Sequence, residues 1–209
     1  MNSMVKELIF FKDPHEYYLR EEGKEDIYLP HFSEIAGLLD DFSKVHPVTL
    51  ERRGQEGTDV HATVKLWLDG TLDKSRLAQG NKIALELLWN WQKNEGSSLG
   101  KLVEWEKPVY HEKLLYATTP DLVYKEFIVD VKTRKFLKHK DPVQLEAQIR
   151  CFPEFPPKKG WILFLDIENR KYTFQRAYDK QAWGMFRKLL DKWRSDREIE
   201  EMIRPWKMR

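Results

Sequence analysis

Two aspartates and a lysine have a spacing that could place three charged groups together on apolar strands. Asp121 opens the first of two short apolar segments, and Asp130 and Lys132 lie two residues apart near the end of the second. Strand side chains alternate between faces, so Asp130 and Lys132 point the same way and Val131 points oppositely. If the segments pair across a turn at 124–126, Asp121 returns close to Asp130.

This group of charges predicts a divalent-metal catalytic site. Charged side chains on a buried strand are costly unless they are paired or bind a metal. Magnesium prefers oxygen ligands and is usually held by one or two carboxylates plus a substrate phosphate. Asp121 and Asp130 supply carboxylates, and the backbone carbonyl of Val131 could complete the protein's share. Lys132 would orient or activate the attacking water, or offset charge on the phosphate, and the sequence leaves both roles open.

The composition is that of a protein with an ordinary core. The chain has 209 residues, of which 41% are hydrophobic and 33% are charged, enough for one domain. It has no apolar run as long as a membrane span and no signal-peptide pattern, so we expect a cytoplasmic protein without a membrane partner. The single cysteine, Cys151, excludes an internal disulfide and any metal site built from cysteines.

Periodicity and turn residues predict a small β unit, helices, strands, and then strands and helices in alternation. Ser33 is the expected N-cap of the first helix, and Asp141 followed by Pro142 is an expected helix start. Residues 44–53 are expected to form a loop because Pro47 interrupts them and they lack clear periodicity. The other expected elements are helices at 57–68, 76–93 and from 179 onward, strands at 102–110 and 113–117, and a hairpin at 161–178.

This order of elements predicts an α/β fold with a central mixed β-sheet flanked by helices. We expect one domain over residues 1–209. Its expected parts are an N-terminal β-meander at 1–32, a core at 57–194 and a charged tail at 195–209 that could fray.

Basic residues cluster beside the candidate metal site, although the net charge is only +2. Residues 132–140 hold five lysines and arginines and no acid, and residues 169–209 hold twelve basic residues against six acidic ones. Each run alone is typical of solvated surface. Next to a metal site, they favour a polyanionic substrate.

The combination of Pro120-Asp121 with Asp130-Val131-Lys132 resembles the motif of the PD-(D/E)XK nucleases, and more specifically their RecB-like and lambda-exonuclease-like branch, common in phages. The resemblance spans most of the chain and implies a restriction-endonuclease-like core. The remaining matched segments are 15–18 and 29–33 near the N-terminus, Gly57-Thr58-x-Val60-His61, the Glu-x-x-Val stretch at 106–109, and Gln144 at the start of a Gln-x-x-x-Tyr helix.

The resemblance implies which residues act. His61 would join Asp121, Asp130 and the Val131 carbonyl as metal ligands, and its imidazole would suit Mn²⁺ better than Mg²⁺. The implied catalytic residues are Asp121, Asp130, Lys132 and Gln144. Gln144 would bond the phosphate or the attacking water, or it is simply an exposed helix glutamine. The candidates for DNA phosphate contacts are Arg134, Lys135, Lys138 and Lys140.

The function implied is a Mg²⁺- or Mn²⁺-dependent deoxyribonuclease, an exonuclease of DNA recombination, repair or phage DNA processing. It would act on double- or single-stranded DNA in a bacterial or phage-infected cytoplasm. The alternatives are a sequence- or structure-specific endonuclease and a non-catalytic DNA-binding module on the same fold. Further partners would be a second copy of the chain or a recombination or replication protein.

The chain departs from the family pattern at three points. Ala117-Thr118-Thr119 lacks the glycine usually found before the motif aspartate, and Gln148 stands where the family's helix has tyrosine. The cysteines of the iron–sulfur members are also absent, which excludes that subgroup.

Overall fold

A computed structural model of the chain describes residues 6–39, 46–153 and 159–207. The ends of the expected meander and tail, at 1–5 and 208–209, lie outside these residues, as does the start of the expected loop at 44–45. The elements in chain order are β1 (Lys6–Phe11), β2 (Glu16–Glu21), β3 (Ile27–Leu29), α1 (Phe32–Ile35), α2 (Pro47–Leu68), α3 (Gln79–Asn94), β4 (Leu102–Trp105), β5 (Val109–Tyr110), β6 (Ala117–Thr118), β7 (Leu122–Tyr124), β8 (Phe127–Lys132), α4 (Lys140–Arg150), β9 (Lys159–Asp166), β10 (Lys171–Arg176) and α5 (Ala182–Lys207).

The central sheet has five strands in the order β10-β9-β8-β7-β4. Strands β8 and β9 are parallel and are joined through α4, whereas the other neighbours are antiparallel. Strands β1, β2 and β3 form a separate antiparallel meander, and β5 pairs with β6. The structure therefore confirms the predicted α/β fold with a central mixed sheet, flanking helices and an N-terminal meander.

Helices cover both faces of the sheet. On one face, α2 and α3 pack against alternate residues of β7, β8 and β9, including Val129 and Val131. On the other face, Leu145 of α4 packs against Ile128 of β8 and the neighbouring residues of β9. The approach of α4 is close, because a Cβ added to Gly160 of β9 would lie 2.8 Å from the Cβ of Leu145. This contact fixes the position of α4 over the sheet.

The structure corrects several expected element boundaries. Helix α2 begins at Pro47, so the stretch from there to residue 53, expected as loop, is helical and the expected core boundary at 57 falls inside α2. Proline is favourable at the first helical position, where its missing N–H has no partner to lose. The N-cap of α1 is His31 rather than Ser33, and α4 begins at Lys140, one residue before Asp141.

Two expected strands are also wrong. The stretch 102–110 is divided into β4 and β5, which belong to different sheets, and Glu106 between them has φ +46. Of the stretch 113–117, only Ala117 is in a strand, because the chain turns at 112–114 and Leu115, directly after the turn, has φ +45. A left-handed residue interrupts the extended backbone that a strand requires. At the C-terminal end, the expected tail continues α5 as helix to Lys207.

No helix in the described part of the chain is both long and apolar enough to cross a membrane.

Candidate metal centre and cleft

The hairpin β7–β8 places the two motif aspartates beside each other. Leu122 pairs with Val129, so the next positions outward, Asp121 and Asp130, lie opposite each other at the end of the ladder. The Asp121 carboxylate accepts a hydrogen bond of 2.5 Å from the backbone N–H of Val131. This bond extends the pairing of the strands by a side chain and fixes the carboxylate at the end of β7.

Asp130, Lys132 and Gln144 form a closed group. The Lys132 ammonium lies 2.8 and 3.0 Å from the two Asp130 oxygens and 3.3 Å from Oε1 of Gln144. The Gln144 amide donates to Asp130 at 2.9 Å. All three side chains therefore meet on the face of the sheet that α4 covers. The predicted alternation of β8 is confirmed, since Asp130 and Lys132 share a face and the side chain of Val131 packs against the other helices.

A second group of side chains faces the cleft and could hold a metal. His61, Glu106 and Asp121 each offer a ligand atom, and these three atoms lie within 4.8 Å of one another. Nδ1 of His61 is 3.1 Å from Glu106 Oε1 and 3.4 Å from Asp121 Oδ1. Oxygen donors with one imidazole suit a divalent cation such as Mg²⁺ or Mn²⁺.

His61 reaches this group because α2 lies across the strands. Its neighbours Val60 and Val64 are buried against Leu122 and Val131 in the main core cluster. Their packing leaves the adjacent His61 at the edge of the helix, half-buried and turned towards the end of β7. A single apolar stripe on α2 thus positions the one imidazole of the group.

Glu106 is a member of the group that the sequence reasoning did not assign to the site. It follows the last residue of β4, and its backbone N–H donates to the Asp121 carbonyl at 3.1 Å. Its left-handed backbone, φ +46, turns the chain from one sheet towards the other at this point. The Glu-x-x-Val stretch at 106–109 pointed to Glu106 as a matched residue. Hydrophobic periodicity gives no indication that a carboxylate just after a strand faces the site.

The two groups divide the predicted metal ligands. The Asp130 carboxylate is directed to Lys132 and Gln144 and does not belong to the group of three ligand atoms. The N–H and the C=O of a strand residue point to the same edge of the strand. The Val131 N–H bonds the Asp121 carboxylate, so the Val131 carbonyl lies on that same edge, towards Asp121. The residues present therefore fit a divalent cation, with Glu106 added to the predicted set.

Burial and neighbouring charges shift the pKa values of these side chains. Asp121 raises the pKa of His61 to about 9 despite the burial of the imidazole, and Glu106 adds to this effect. Burial raises the pKa of Asp130 to about 6, although Lys132 opposes that shift. Burial lowers the pKa of Lys132, but Asp130 and Asp121 outweigh it and the net shift is upward. In the metal-free protein Lys132 is therefore a cation and His61 is protonated near neutral pH.

The group of His61, Glu106 and Asp121 lies in a large cleft of about 1290 Å³. Among the described residues, eight lysines and arginines and four carboxylates line this cleft. Several of the cations pair locally, as Lys65 does with Asp69 at 3.1 Å. The excess of basic side chains still gives the cleft a positive lining around an acidic centre.

The four residues predicted to contact DNA phosphates differ in position. Arg134, Lys138 and Lys140 line the cleft, and Lys135 does not. Lys135 pairs with Glu168 at 2.9 Å, while Arg134 pairs with the buried carboxylate of Asp141.

The N-terminal meander forms one wall of the cleft and is hydrogen-bonded to the segment 117–119, which precedes Asp121. The buried Tyr17 hydroxyl lies 2.8 Å from Thr119 Oγ1, two residues before Asp121. The backbone N–H of Ala117 donates to the Pro30 carbonyl at 3.0 Å. The meander thereby supports the segment that carries Asp121.

Comparison with known proteins gives little beyond this geometry. No family model matches the chain, and no curated protein matches it. The crystal structure of LHK-Exo in complex with dAMP is one of the solved structures that resemble it, with a TM-score of 0.49 and 13% sequence identity over 86% of this chain and 94% of that chain. A likeness of this size assigns neither a fold nor an activity, so the fold and the site rest on the residues described above.

Proposed function

We propose that this chain is a divalent-metal-dependent nuclease that hydrolyses phosphodiester bonds in DNA, and that it belongs to the lambda-exonuclease-like branch of the PD-(D/E)XK nucleases. The observation that carries the proposal is that two sets of side chains lie next to each other beside one basic cleft. One set, His61, Glu106 and Asp121, offers ligands for a cation. The other begins at Asp130, directly opposite Asp121, and presents the Lys132 ammonium.

The residues that would hold the cation are His61, Glu106 and Asp121, together with Asp130 and the backbone carbonyl of Val131. A divalent cation supplies Lewis-acid polarisation of a phosphoryl oxygen and a lower pKa for a bound water. Asp130 is one ladder position from the group and is paired with Lys132 while no cation is bound. The Asp130 carboxylate would become a ligand by giving up part of its ion pair with Lys132.

Lys132 and Gln144 would act in catalysis without binding the cation, Lys132 through its charge and Gln144 by positioning its neighbours. The pKa of Lys132 is shifted upward, because Asp130 and Asp121 outweigh the effect of its burial. In the metal-free protein it is therefore a cation, and an ammonium at this position would stabilise the negative charge developing on the phosphate. Gln144 holds the Asp130 carboxylate and the ammonium in their relative positions, since it bonds both at 2.9 and 3.3 Å.

The cleft lining favours a polyanionic substrate. Arg134, Lys138 and Lys140 line one side of it and Lys12 and Arg53 line other parts. Phosphate contacts of this kind release counterions, so binding should weaken as the salt concentration rises. A nucleic-acid backbone is the polyanion whose phosphodiester chemistry matches the metal centre.

The experiment that tests this function is a time course with Mg²⁺ or Mn²⁺ on end-labelled single-stranded and double-stranded DNA, with closed circular DNA in parallel. Progressive loss of nucleotides from linear DNA, with closed circles intact and with no reaction in EDTA, is expected for an exonuclease. Cleavage of the circles at fixed positions would identify an endonuclease instead. Tight binding in EDTA without cleavage in either metal would leave only a DNA-binding module.

A further inference from the structure

Phe136 is the most exposed of the large hydrophobic side chains in the described part of the chain. Its side chain is 77% exposed, and the adjacent Leu137 is 42% exposed. Both lie on the loop between β8 and α4. The ring of Phe136 therefore presents a flat apolar surface to solvent.

The loop that carries Phe136 is held by a buried carboxylate. Asp141 is fully buried, and its two oxygens accept from the Arg134 guanidinium and, at 2.6 Å, from the backbone N–H of Lys138. The same guanidinium donates to the Phe136 carbonyl and lies over the Phe164 ring, 5.4 Å from its centroid. The Lys138 backbone and the Arg134 side chain are therefore both bonded to one buried carboxylate, and the ring projects from a supported loop.

The position of the loop indicates what the ring would meet. Arg134, Lys138 and Lys140 line the cleft, and the Arg134 guanidinium bonds the Phe136 carbonyl, so the exposed ring lies on the loop beside the cleft rather than in its lining. Residues 132–140 contain five basic residues and no acid. A protein partner with an apolar surface would not need this charge, whereas a nucleic-acid strand offers both phosphates for the cations and flat bases for the ring.

From this arrangement we infer that Phe136 is a stacking platform for an unpaired nucleobase of a strand bound in the cleft. The inference rests on the proposed function and adds a substrate class to it, namely DNA that presents at least one unstacked base at the mouth of the cleft. Stacking of a base on an aromatic side chain is tolerant of sequence, because every base has a flat π-face. Fully paired DNA with blunt ends would use this contact less.

The test is the affinity of the whole protein for a fluorescein-labelled oligothymidylate, measured by fluorescence anisotropy in EDTA so that the strand is not cut. The variants are Phe136→Leu, which keeps apolar bulk without a flat ring, and Phe136→Tyr, which keeps the ring. The control is Trp89→Ala, which removes a different exposed aromatic ring on α3, a helix that contributes no residue to the cleft lining. A second ligand is the same oligonucleotide with abasic sites in place of bases.

We expect Phe136→Leu to weaken binding of the oligothymidylate by about five- to thirtyfold, while Phe136→Tyr and Trp89→Ala bind like the wild type. The abasic strand should bind the wild type and Phe136→Leu with the same reduced affinity. Equal affinity of Phe136→Leu and the wild type for the oligothymidylate would overturn the inference. A change in the sedimentation coefficient of Phe136→Leu, without a change in affinity, would overturn it in favour of a contact between copies of the chain. Because binding is measured without cleavage, a failure of the nuclease proposal would appear separately, as intact DNA in the presence of metal.

Discussion

Nδ1 of His61 lies 3.1 Å from Oε1 of Glu106, although 45 residues separate the two along the chain. The imidazole comes from α2 and the carboxylate from the end of β4, so neither residue is placed by its own neighbours in sequence. Asp121 completes the group at 3.4 Å from the same nitrogen. The candidate metal centre is therefore assembled by the packing of α2 on the sheet and by the bend at Glu106.

Replacement of Glu106 by Gln is expected to weaken Mn²⁺ binding by about tenfold or more, because it removes a charged ligand from the group. Glu104→Gln is the matched control, since Glu104 lines the same cleft but pairs with Lys107. Isothermal titration of both variants with Mn²⁺ gives the comparison. Equal affinities for the two variants would remove Glu106 from the metal centre.

Metal binding should release a proton at about pH 7, because His61 has a pKa of about 9 in the metal-free protein and an imidazole must be deprotonated to bind a metal. The apparent Mn²⁺ affinity should therefore rise with pH and level off above about pH 9. Titration in two buffers with different ionisation enthalpies measures the number of protons. A heat that does not depend on the buffer would contradict the role of His61, and His61→Gln should release fewer protons than the wild type.

Asp130→Asn is expected to stabilise the metal-free protein while it abolishes metal-dependent hydrolysis. Burial raises the pKa of Asp130 to about 6, so the folded state favours the protonated acid. The stability that this preference contributes is full at low pH and is lost as the pH rises through about 6. Asparagine resembles the protonated form at every pH. The melting temperature should therefore increase by about 2–4 °C at about pH 8 and stay unchanged at about pH 4.

A lower melting temperature of Asp130→Asn at the higher pH would show that its pairing with Lys132 outweighs the cost of burying the carboxylate. Thermal unfolding followed by circular dichroism in EDTA is sufficient for this comparison, because it needs neither metal nor substrate.

Tyr17→Phe should lower the free energy of unfolding by about 1 kcal/mol, because it breaks the partly buried hydrogen bond to Thr119 that joins the meander to the segment before Asp121. Tyr18→Phe is the control, since the neighbouring hydroxyl bonds Glu16 of the same strand and not the segment before Asp121. Urea denaturation of the two variants measures the difference. If both lose the same stability, the meander does not depend on this bond.

Local chemistry in the sequence predicts the hairpin well and the metal ligands in part. Asp130 and Lys132 share a face because strand geometry leaves no alternative, and the turn after Tyr124 fixes Asp121 opposite Asp130. The helix that bears Gln144 was also predictable, and its side chain does reach Asp130.

The rest depends on tertiary packing. Glu106 enters the site through a left-handed backbone that no propensity indicates, and α2 extends back to Pro47 through a polar stretch without a core-facing stripe. The contact of Gln144 with Asp130 depends on the position of α4, whose Leu145 packs closely against Gly160. Contacts between separate helices and strands cannot be predicted from the sequence pattern of any one segment.

The most direct test of the account is the rate at which linear DNA is degraded in Mg²⁺ by the wild type, Asp130→Ala, Lys132→Ala and the surface control Lys135→Ala. The account predicts metal-dependent degradation by the wild type and by Lys135→Ala, and loss of at least about 100-fold in rate for the other two variants. Degradation at the wild-type rate by both Asp130→Ala and Lys132→Ala would contradict it.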